Sequence, residues 1–379
     1  MITSIDNLTI NGETFSVEEM SRHQSEHSLL WRKYVELFGT MSFEVSLAEF
    51  LEEWFDGRDV LKVHTSGSTG RPKELWVEKR RMLNSASMTI SFLGLGRGES
   101  ALLCMPLAYI AGKMVVVRAM AAGLNLIPVQ PSGHPVRGLD KAPYFAAMTP
   151  MQVWNILNSE DPGEALCLRG IQELIIGGGA IDDKLADMLK AFPNRVWSTY
   201  GMTETLSHIA LRRLSGPQTS ELYTPFAGVV LSQDPDGALI IDAPSVNPEV
   251  LHTNDLVEFN GNGQFRVLGR KDNTINTGGV KVQIEEVEAL LRDHLDCPFM
   301  VVPAPDPKFG QIIVLLVEMD FPDSGCVILD DTSINSAILS LPKYWQPKKV
   351  FATKHLPLTG TGKLDRARAI LIISRLFKK

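Results

Sequence analysis

Cysteine is scarce in this chain. Its four copies, Cys104, Cys167, Cys297 and Cys326, lie far apart and form no C-x-x-C pair. Zinc knuckles, redox dithiols and disulfide frameworks need closer spacing, so the four read as buried, reduced thiols. An excess of positive charge is also missing: 37 Lys and Arg face 44 Asp and Glu, a formal net charge of -7. That removes the electrostatic footprint of a nucleic-acid-binding protein and leaves room only for a local basic pocket. No apolar run reaches the roughly 20 residues that cross a bilayer; the stretch over 100–112 stops at Lys113 and Arg118. The first residues carry neither a basic stretch nor an apolar run, so no leader or transit peptide is expected and the expected location is the cytoplasm.

What is present suits a globular protein. Apolar residues make up 44% and charged residues 21% of 379 positions, enough for a core and, by length, for two or three domains. Residues 1–55 read as helical, with Leu47, Leu51, Trp54 and Phe55 as an apolar stripe. Strands are expected over 60–64 and 74–77, then a helix carrying Met82, Ala86, Ile90 and Leu93 on one side. Apolar runs at 101–105, 124–128, 144–148 and 174–176 alternate with helical segments, including one over 182–192 capped by Asp182 with Leu185, Met188, Leu189 and Phe192 on one face. Such alternation predicts an α/β fold, a large N-terminal domain of parallel-type sheets with helices.

After about residue 225 the texture changes. Asp236-Gly237, Asn260-Gly261 and Asn262-Gly263 mark the turns of a small antiparallel β subdomain. Beyond 269, a helix over 284–295 and strands over 299–302 and 312–317 indicate a small C-terminal α+β domain. The expected division is 1–269 and 270–379, with the boundary at Leu268-Gly269-Arg270-Lys271-Asp272.

Polar chemistry concentrates in Thr65-Ser66-Gly67-Ser68-Thr69-Gly70-Arg71-Pro72-Lys73. Hydroxyls, turn-forming glycines and a terminal lysine suit polyphosphate oxygens. It is not a Walker A loop, because Lys73 is followed by Glu74 and a strand rather than by Ser or Thr and a helix. On composition alone an exposed Ser/Gly turn is the plainer reading. Further blocks follow: Gly177-Gly178-Gly179-Ala180, Ser198-Thr199-Tyr200-Gly201-Met202-Thr203-Glu204, Thr253-Asn254-Asp255, the 268–272 segment, and Pro357-Leu358-Thr359-Gly360-Thr361-Gly362-Lys363.

In this order, along nearly the whole chain, the blocks resemble those of the adenylate-forming superfamily of acyl-CoA synthetases, luciferases and adenylation domains. The resemblance implies that Thr65, Ser66, Gly67, Ser68, Thr69, Gly70 and Lys73 hold the ATP phosphates, although Glu74 stands where the family has glycine. Gly178, Gly179 and Ala180 would let adenine and the acyl group approach the backbone. Tyr200 would stack on adenine, with Ser198 where Asn is commoner. Thr203 would meet the α-phosphate and Glu204 would help bind Mg²⁺. Asp255 would grip the ribose, and Arg270 would touch ribose or phosphate. Asp272 would be the hinge of a mobile C-terminal domain, and Lys363 would bridge the acid and the α-phosphate. The implied reaction is two-step: a carboxylic acid and ATP give an acyl-adenylate and pyrophosphate, then the thiol of coenzyme A displaces AMP. The domain swing would withdraw Lys363 and bring residues 278–281 into its place.

The acid is less plainly written. Pro106-Leu107-Ala108-Tyr109-Ile110-Ala111-Gly112 is similar to the family's P-L-x-H-I-x-G, with Tyr109 in place of histidine. It lacks the aspartate that anchors an amino group in amino-acid adenylation domains. Tyr109, Lys113, Ser207 and His208 are the acyl-pocket candidates, with Lys113 the expected cation for a second carboxylate. Only 64 residues precede Thr65, a shortened N-terminal part. That compactness and Ala147-Met148-Thr149-Pro150-Met151-Gln152 make the chain most similar to the 2-succinylbenzoate-CoA ligase branch of menaquinone biosynthesis. The alternatives are a ligase for another aromatic or fatty acid, a catalytically inactive nucleotide-binding homologue kept open by Glu74 and Tyr109, and a kinase releasing ADP. Expected partners are ATP, coenzyme A and a small carboxylic acid, with no nucleic acid and no membrane span; a homo-oligomer stays open.

Overall fold

A computed structural model describes residues 5–64, 74–179, 181, 183–320, 326–358 and 364–377. The expected phosphate loop at 65–73, Ala180, the cap Asp182 and Lys363 lie outside the described residues.

The largest sheet has nine strands, in the order Thr224–Pro225, His208–Arg213, Arg195–Gly201, Glu173–Ile176, Phe145–Met148, Ser100–Leu103, Asn125–Pro128, Asn7–Ile10 and Glu13–Ser16. The run from Arg195–Gly201 to Asn7–Ile10 pairs in parallel. The edges are antiparallel. Phe145–Met148 and Glu173–Ile176 are buried at every position, the pattern of strands covered on both faces.

The expectation for residues 1–55 needs correction at its start. Asn7–Ile10 and Glu13–Ser16 form a hairpin through Asn11 (φ 50°) and Gly12 (φ 83°) before helices Val17–Met20, Leu29–Phe38 and Phe43–Trp54. Asn-Gly satisfies the two left-handed positions of such a turn. The stripe on Phe43–Trp54 does enter the core, with Leu47 and Leu51 fully buried. Helix Asp183–Lys190 is shorter than the expected span; Phe192 is buried beyond its end.

A four-stranded antiparallel sheet follows, in the order Val230–Gln233, Ala238–Asp242, Leu251–Phe259, Phe265–Arg270. The chain then changes sheet across Lys271–Asn273. Val280–Gln283, Thr274–Thr277, Gly310–Glu318, Lys349–Thr353 and Cys326–Ile328 lie in sequence, with Phe299–Asp306 also paired to Gly310–Glu318. Helix Ile284–Arg292 buries Ile284, Val287 and Leu291 against that sheet's core. At the junction, a Cβ on Gly269 would stand 2.5 Å from Gln283 Nε2, so the later elements pack directly on its backbone. Among the described residues no helix is long and apolar enough to cross a membrane.

Candidate active site

A cavity of about 600 Å³ opens where the parallel strands end. Met105 and Pro106 follow strand Ser100–Leu103, Thr149 follows Phe145–Met148, Gly177 and Gly178 follow Glu173–Ile176, and Met202 and Thr203 follow Arg195–Gly201; all line it. The carboxyl ends of parallel strands are where an open α/β sheet leaves its ligand crevice. Gly178 has φ +84°, a left-handed backbone that glycine adopts without strain.

Of the expected site residues, Gly178, Thr203, Tyr109, Ser207 and His208 share this cavity. Gly179 does not line it and lies beside Pro150. Ser198 is buried with its Oγ 2.8 Å from the Tyr223 hydroxyl, away from the cavity. Glu204 is exposed on the short turn Thr203–Thr205, its carbonyl accepting from Asn247 Nδ2 at 3.0 Å. No group of three or more metal-ligating side chains occurs among the described residues. One exposed carboxylate beside a hydroxyl fits Mg²⁺ that is held mainly by phosphates.

A second group of expected residues converges on one hydrogen-bonded chain. The Tyr200 hydroxyl donates to Asp255 Oδ2 at 2.5 Å, and Arg270 Nη1 donates to Asp255 Oδ1 at 3.1 Å. Arg270 also forks onto Asp272, Nε to Oδ1 at 2.8 Å and Nη2 to Oδ2 at 2.9 Å. Burial, and then the Asp255 carboxylate, push the Tyr200 phenol above its usual range. The Arg270 hydrogen bond holds Asp272 below the usual carboxylate range.

Lys113 departs from its expected place. It is absent from the cavity wall; its Nζ lies 3.2 Å from Glu53 Oε2 and 5.0 Å from the Phe50 ring centre. The cause is helical phase. On Ile110–Ala122, Ile110, Met114 and Arg118 recur every four residues and line the cavity, while Lys113 points round towards Phe43–Trp54. Among the described residues the arginine or lysine that lines the cavity is therefore Arg118, which is only 2% exposed. Its Nη2 donates to Ser207 Oγ, and its Nε meets no acceptor among the described residues. Burial pushes its guanidinium down to about 9, so it stays charged at neutral pH.

The turn after Gly201 presents the remaining polar groups. A Cβ at Gly201 would stand 2.4 Å from Ser207 O and 2.5 Å from His208 Cα, so only glycine allows this closure. Leu206 sits at φ +64° within it, an uncommon conformation for leucine. The Thr205 hydroxyl ties the turn: its oxygen accepts from the Met202 N–H at 3.0 Å, and its one proton goes to the Ser207 carbonyl at 2.7 Å. His208 is buried, with Nδ1 3.2 Å from Ser207 Oγ and Nε2 3.0 Å from Thr89 Oγ1. Burial first and Arg118 second push its pKa well below the usual value, so it is neutral. Cys104, also on the cavity wall, has its thiol pushed up to about 12 by burial and is no nucleophile. The other three cysteines are half-buried.

His64 pairs with Glu74 in the hairpin of Val60–His64 and Glu74–Glu78, and Glu74 Oε1 lies 2.6 Å from Lys62 Nζ. Leu358 and Leu364 form an antiparallel bridge on either side of residues 359–363.

Comparison with known proteins identifies the family. The family model described as AMP-binding enzyme matches residues 11–243. A probable 2-succinylbenzoate--CoA ligase of Mycobacterium tuberculosis is 29% identical over 342 residues, covering 84% of this chain and 85% of that protein. The crystal structure of an acyl-CoA synthetase (AMP-forming)/AMP-acid ligase II-like protein from Dyadobacter fermentans is 34% identical, with a TM-score of 0.59 and coverage of 87% and 94%. An O-succinylbenzoate coenzyme A synthetase from Bacillus subtilis, in complex with ATP and magnesium ion, shares the fold at 21% identity, with a TM-score of 0.66 and coverage of 81% and 69%. The chain belongs to the AMP-binding enzyme family, among its adenylate-forming acyl-CoA ligases.

Proposed function

We propose that the chain joins 2-succinylbenzoate to coenzyme A through an acyl-adenylate, releasing AMP and pyrophosphate. The observation that carries the choice of acid is Arg118. A buried guanidinium with an unpaired Nε is costly in a pocket meant for a benzoate ring or an alkyl chain, and useful where a second carboxylate must be held. The surrounding wall of Met105, Ile110, Met114, Met151 and Leu206 suits the apolar part of such an acid. The names of the relatives point the same way.

In this reading the reacting carboxylate lies towards Gly178 and Thr203. One of its oxygens attacks the α-phosphorus of ATP, and the bond to pyrophosphate breaks. The coenzyme A sulfur then attacks the acyl carbon, and AMP leaves with the bonding electrons. Charge compensation carries both steps. Residues 65–73 and Lys363 compensate the phosphates, Thr203 hydrogen-bonds the α-phosphate, and Asp255 holds the ribose. Tyr200 packs against adenine, with Gly178, Gly179 and Ala180 around it, while Ser198, bonded to Tyr223, lies behind the strand and not at the base. Glu204 would hold Mg²⁺, which supplies electrostatic neutralisation of the phosphates when bound.

The two steps need different groups at the same place. We therefore assign residues 1–269 to an ATP- and acyl-binding domain and 270–379 to a domain that swings about Asp272 and carries Lys363 in and out. ATP-pyrophosphate exchange with a panel of acids tests the assignment. 2-Succinylbenzoate should support exchange at the lowest KM, and an equal response to benzoate and medium-chain acids would refute it.

A further inference from the structure

We propose that His208 is a positioning residue whose tautomer sets the direction of the Ser207 hydroxyl, turned into the imidazole in the free enzyme and into the cavity once a carboxylate lies against Arg118. This rests on the reading of the cavity as a dicarboxylic-acid site.

The argument is a proton inventory. Arginine only donates, so Ser207 Oγ is an acceptor towards Arg118 Nη2. At the far end, the Thr89 hydroxyl donates to the Ser85 carbonyl at 3.4 Å. Thr89 has one proton, so while that proton stays on the Ser85 carbonyl the 3.0 Å contact with His208 has Nε2–H as its donor. A neutral imidazole then has a bare Nδ1, and Ser207 fills it at 3.2 Å. All the bonds run one way, from Arg118 through Ser207, His208 and Thr89 to Ser85. Ser207 has no proton left for a ligand.

The reverse arrangement costs little. If Thr89 turns its proton to Nε2, it gives up only the long bond to Ser85. Nδ1–H then donates to Ser207, and the Ser207 proton is released towards the cavity. One proton leaves Nε2 and one arrives at Nδ1, both exchanged with solvent entering the cavity that the ring lines, so the ring stays neutral. A bound carboxylate accepting from the Arg118 guanidinium and Ser207 makes charge-assisted bonds that outweigh one stretched neutral bond. Burial and the adjacent Arg118 disfavour the imidazolium, which leaves tautomer exchange as the available response.

Nitrogen-15 NMR of histidine-labelled protein reads this directly, because the protonated and bare ring nitrogens resonate far apart. His208→Gln assigns the signals. The probe is 2-succinylbenzoate with α,β-methylene-ATP, whose bridging carbon blocks adenylate formation. The proton should sit on Nε2 in the free protein and on Nδ1 in the ternary complex. An unchanged tautomer, or an imidazolium, in a complex whose saturable shifts disappear in Arg118→Met overturns the proposal and leaves the dicarboxylate reading standing. Absence of saturable shifts at any acid concentration removes that reading, and the proposal with it. Kinetics give a second measure. His208→Gln, whose amide offers one donor and one acceptor, should keep the KM for the acid within about twofold, whereas His208→Leu should raise it about tenfold, the worth of one hydrogen bond, with the KM for ATP unchanged. Equal KM values for the acid in both variants would also overturn it.

Discussion

Arg270 and Asp255 meet at 3.1 Å across the paired strands Leu251–Phe259 and Phe265–Arg270, and the same guanidinium holds Asp272 two residues further on. The carboxylate assigned to the ribose is thus already tied to the residue assigned to the hinge. Tyr200 completes the tie from the nine-stranded sheet, so three segments are coupled through one acid.

Asp255→Asn keeps the shape and removes the charge. Hydrogen bonds to a charged group contribute roughly 1.5 to 3 kcal/mol, so the KM for ATP should rise about tenfold or more while the KM for the acid stays nearly constant. Steady-state kinetics with ATP and with 2′-deoxy-ATP check this. The wild type should distinguish the two nucleotides, and the variant should distinguish them less.

Arg118→Met should separate stability from function. Replacing a buried cation by an apolar side chain of similar size is neutral or stabilising by about 1 to 4 kcal/mol. The KM for a dicarboxylic acid should meanwhile rise more than tenfold, since a charged hydrogen bond is lost. The folded guanidinium, pushed down to about 9 by burial, binds its proton less tightly than the unfolded one does. Its burden on folding is therefore fully present below pH 9 and declines only above it. The change in Tm should accordingly be the same at pH 7.5 and pH 8.5, both above the range in which His208 titrates, as thermal unfolding at both will show.

His208 gives the same sign in a lower pH window. Its folded pKa lies well below the ordinary 6.5, so below about pH 6.5 the unfolded state binds a proton that the folded state does not. Stability must fall with acidification by up to about 1.4 kcal/mol per pH unit from this one group. His208→Gln should flatten the loss of Tm between pH 6.5 and pH 5, and an unaltered slope would contradict the assignment of a buried neutral ring.

Gly112→Ala probes how the Arg118 helix is seated. The new Cβ would fall 2.6 Å from the Pro106 carbonyl oxygen and 2.7 Å from that of Met105, both backbone atoms that cannot swing aside. Helix Ile110–Ala122 would have to move outward, at a cost of about 1 to 3 kcal/mol in urea unfolding, with a raised KM for the acid.

These residues also show what a sequence reveals. Strand and helix alternation was legible over 100–200 because buried parallel strands are written as short apolar runs. The Asn11-Gly12 hairpin was equally explicit and was overlooked beside a helical stripe nearer residue 50. Motif residues such as Tyr200, Asp255 and Arg270 were legible by resemblance, but nothing in their spacing said that they share hydrogen bonds. Lys113 stands out in the sequence because it adjoins the motif, whereas Arg118 reads there only as a charge that ends an apolar run. The i, i+4 spacing of Ile110, Met114 and Arg118 held the answer, yet which helical face meets the cavity depends on packing against helix Lys79–Leu93 and the parallel strands. Thr89, the far end of the His208 chain, lies 119 residues away from it and had no signal at all.

Lys363→Ala should dissociate the two half-reactions. Adenylate formation should collapse, whereas thioester formation from preformed 2-succinylbenzoyl-AMP should persist; equal loss of both would contradict the proposed swing.

The most direct test of the dicarboxylate claim is mass spectrometry of the enzyme-bound adenylate when 2-succinylbenzoate, benzoate and a medium-chain fatty acid compete at equal concentration with ATP. The succinylbenzoyl adenylate should dominate, and its share should fall in Arg118→Met. A benzoyl or fatty-acyl adenylate in equal or greater amount, or ADP as the nucleotide product, would contradict the account.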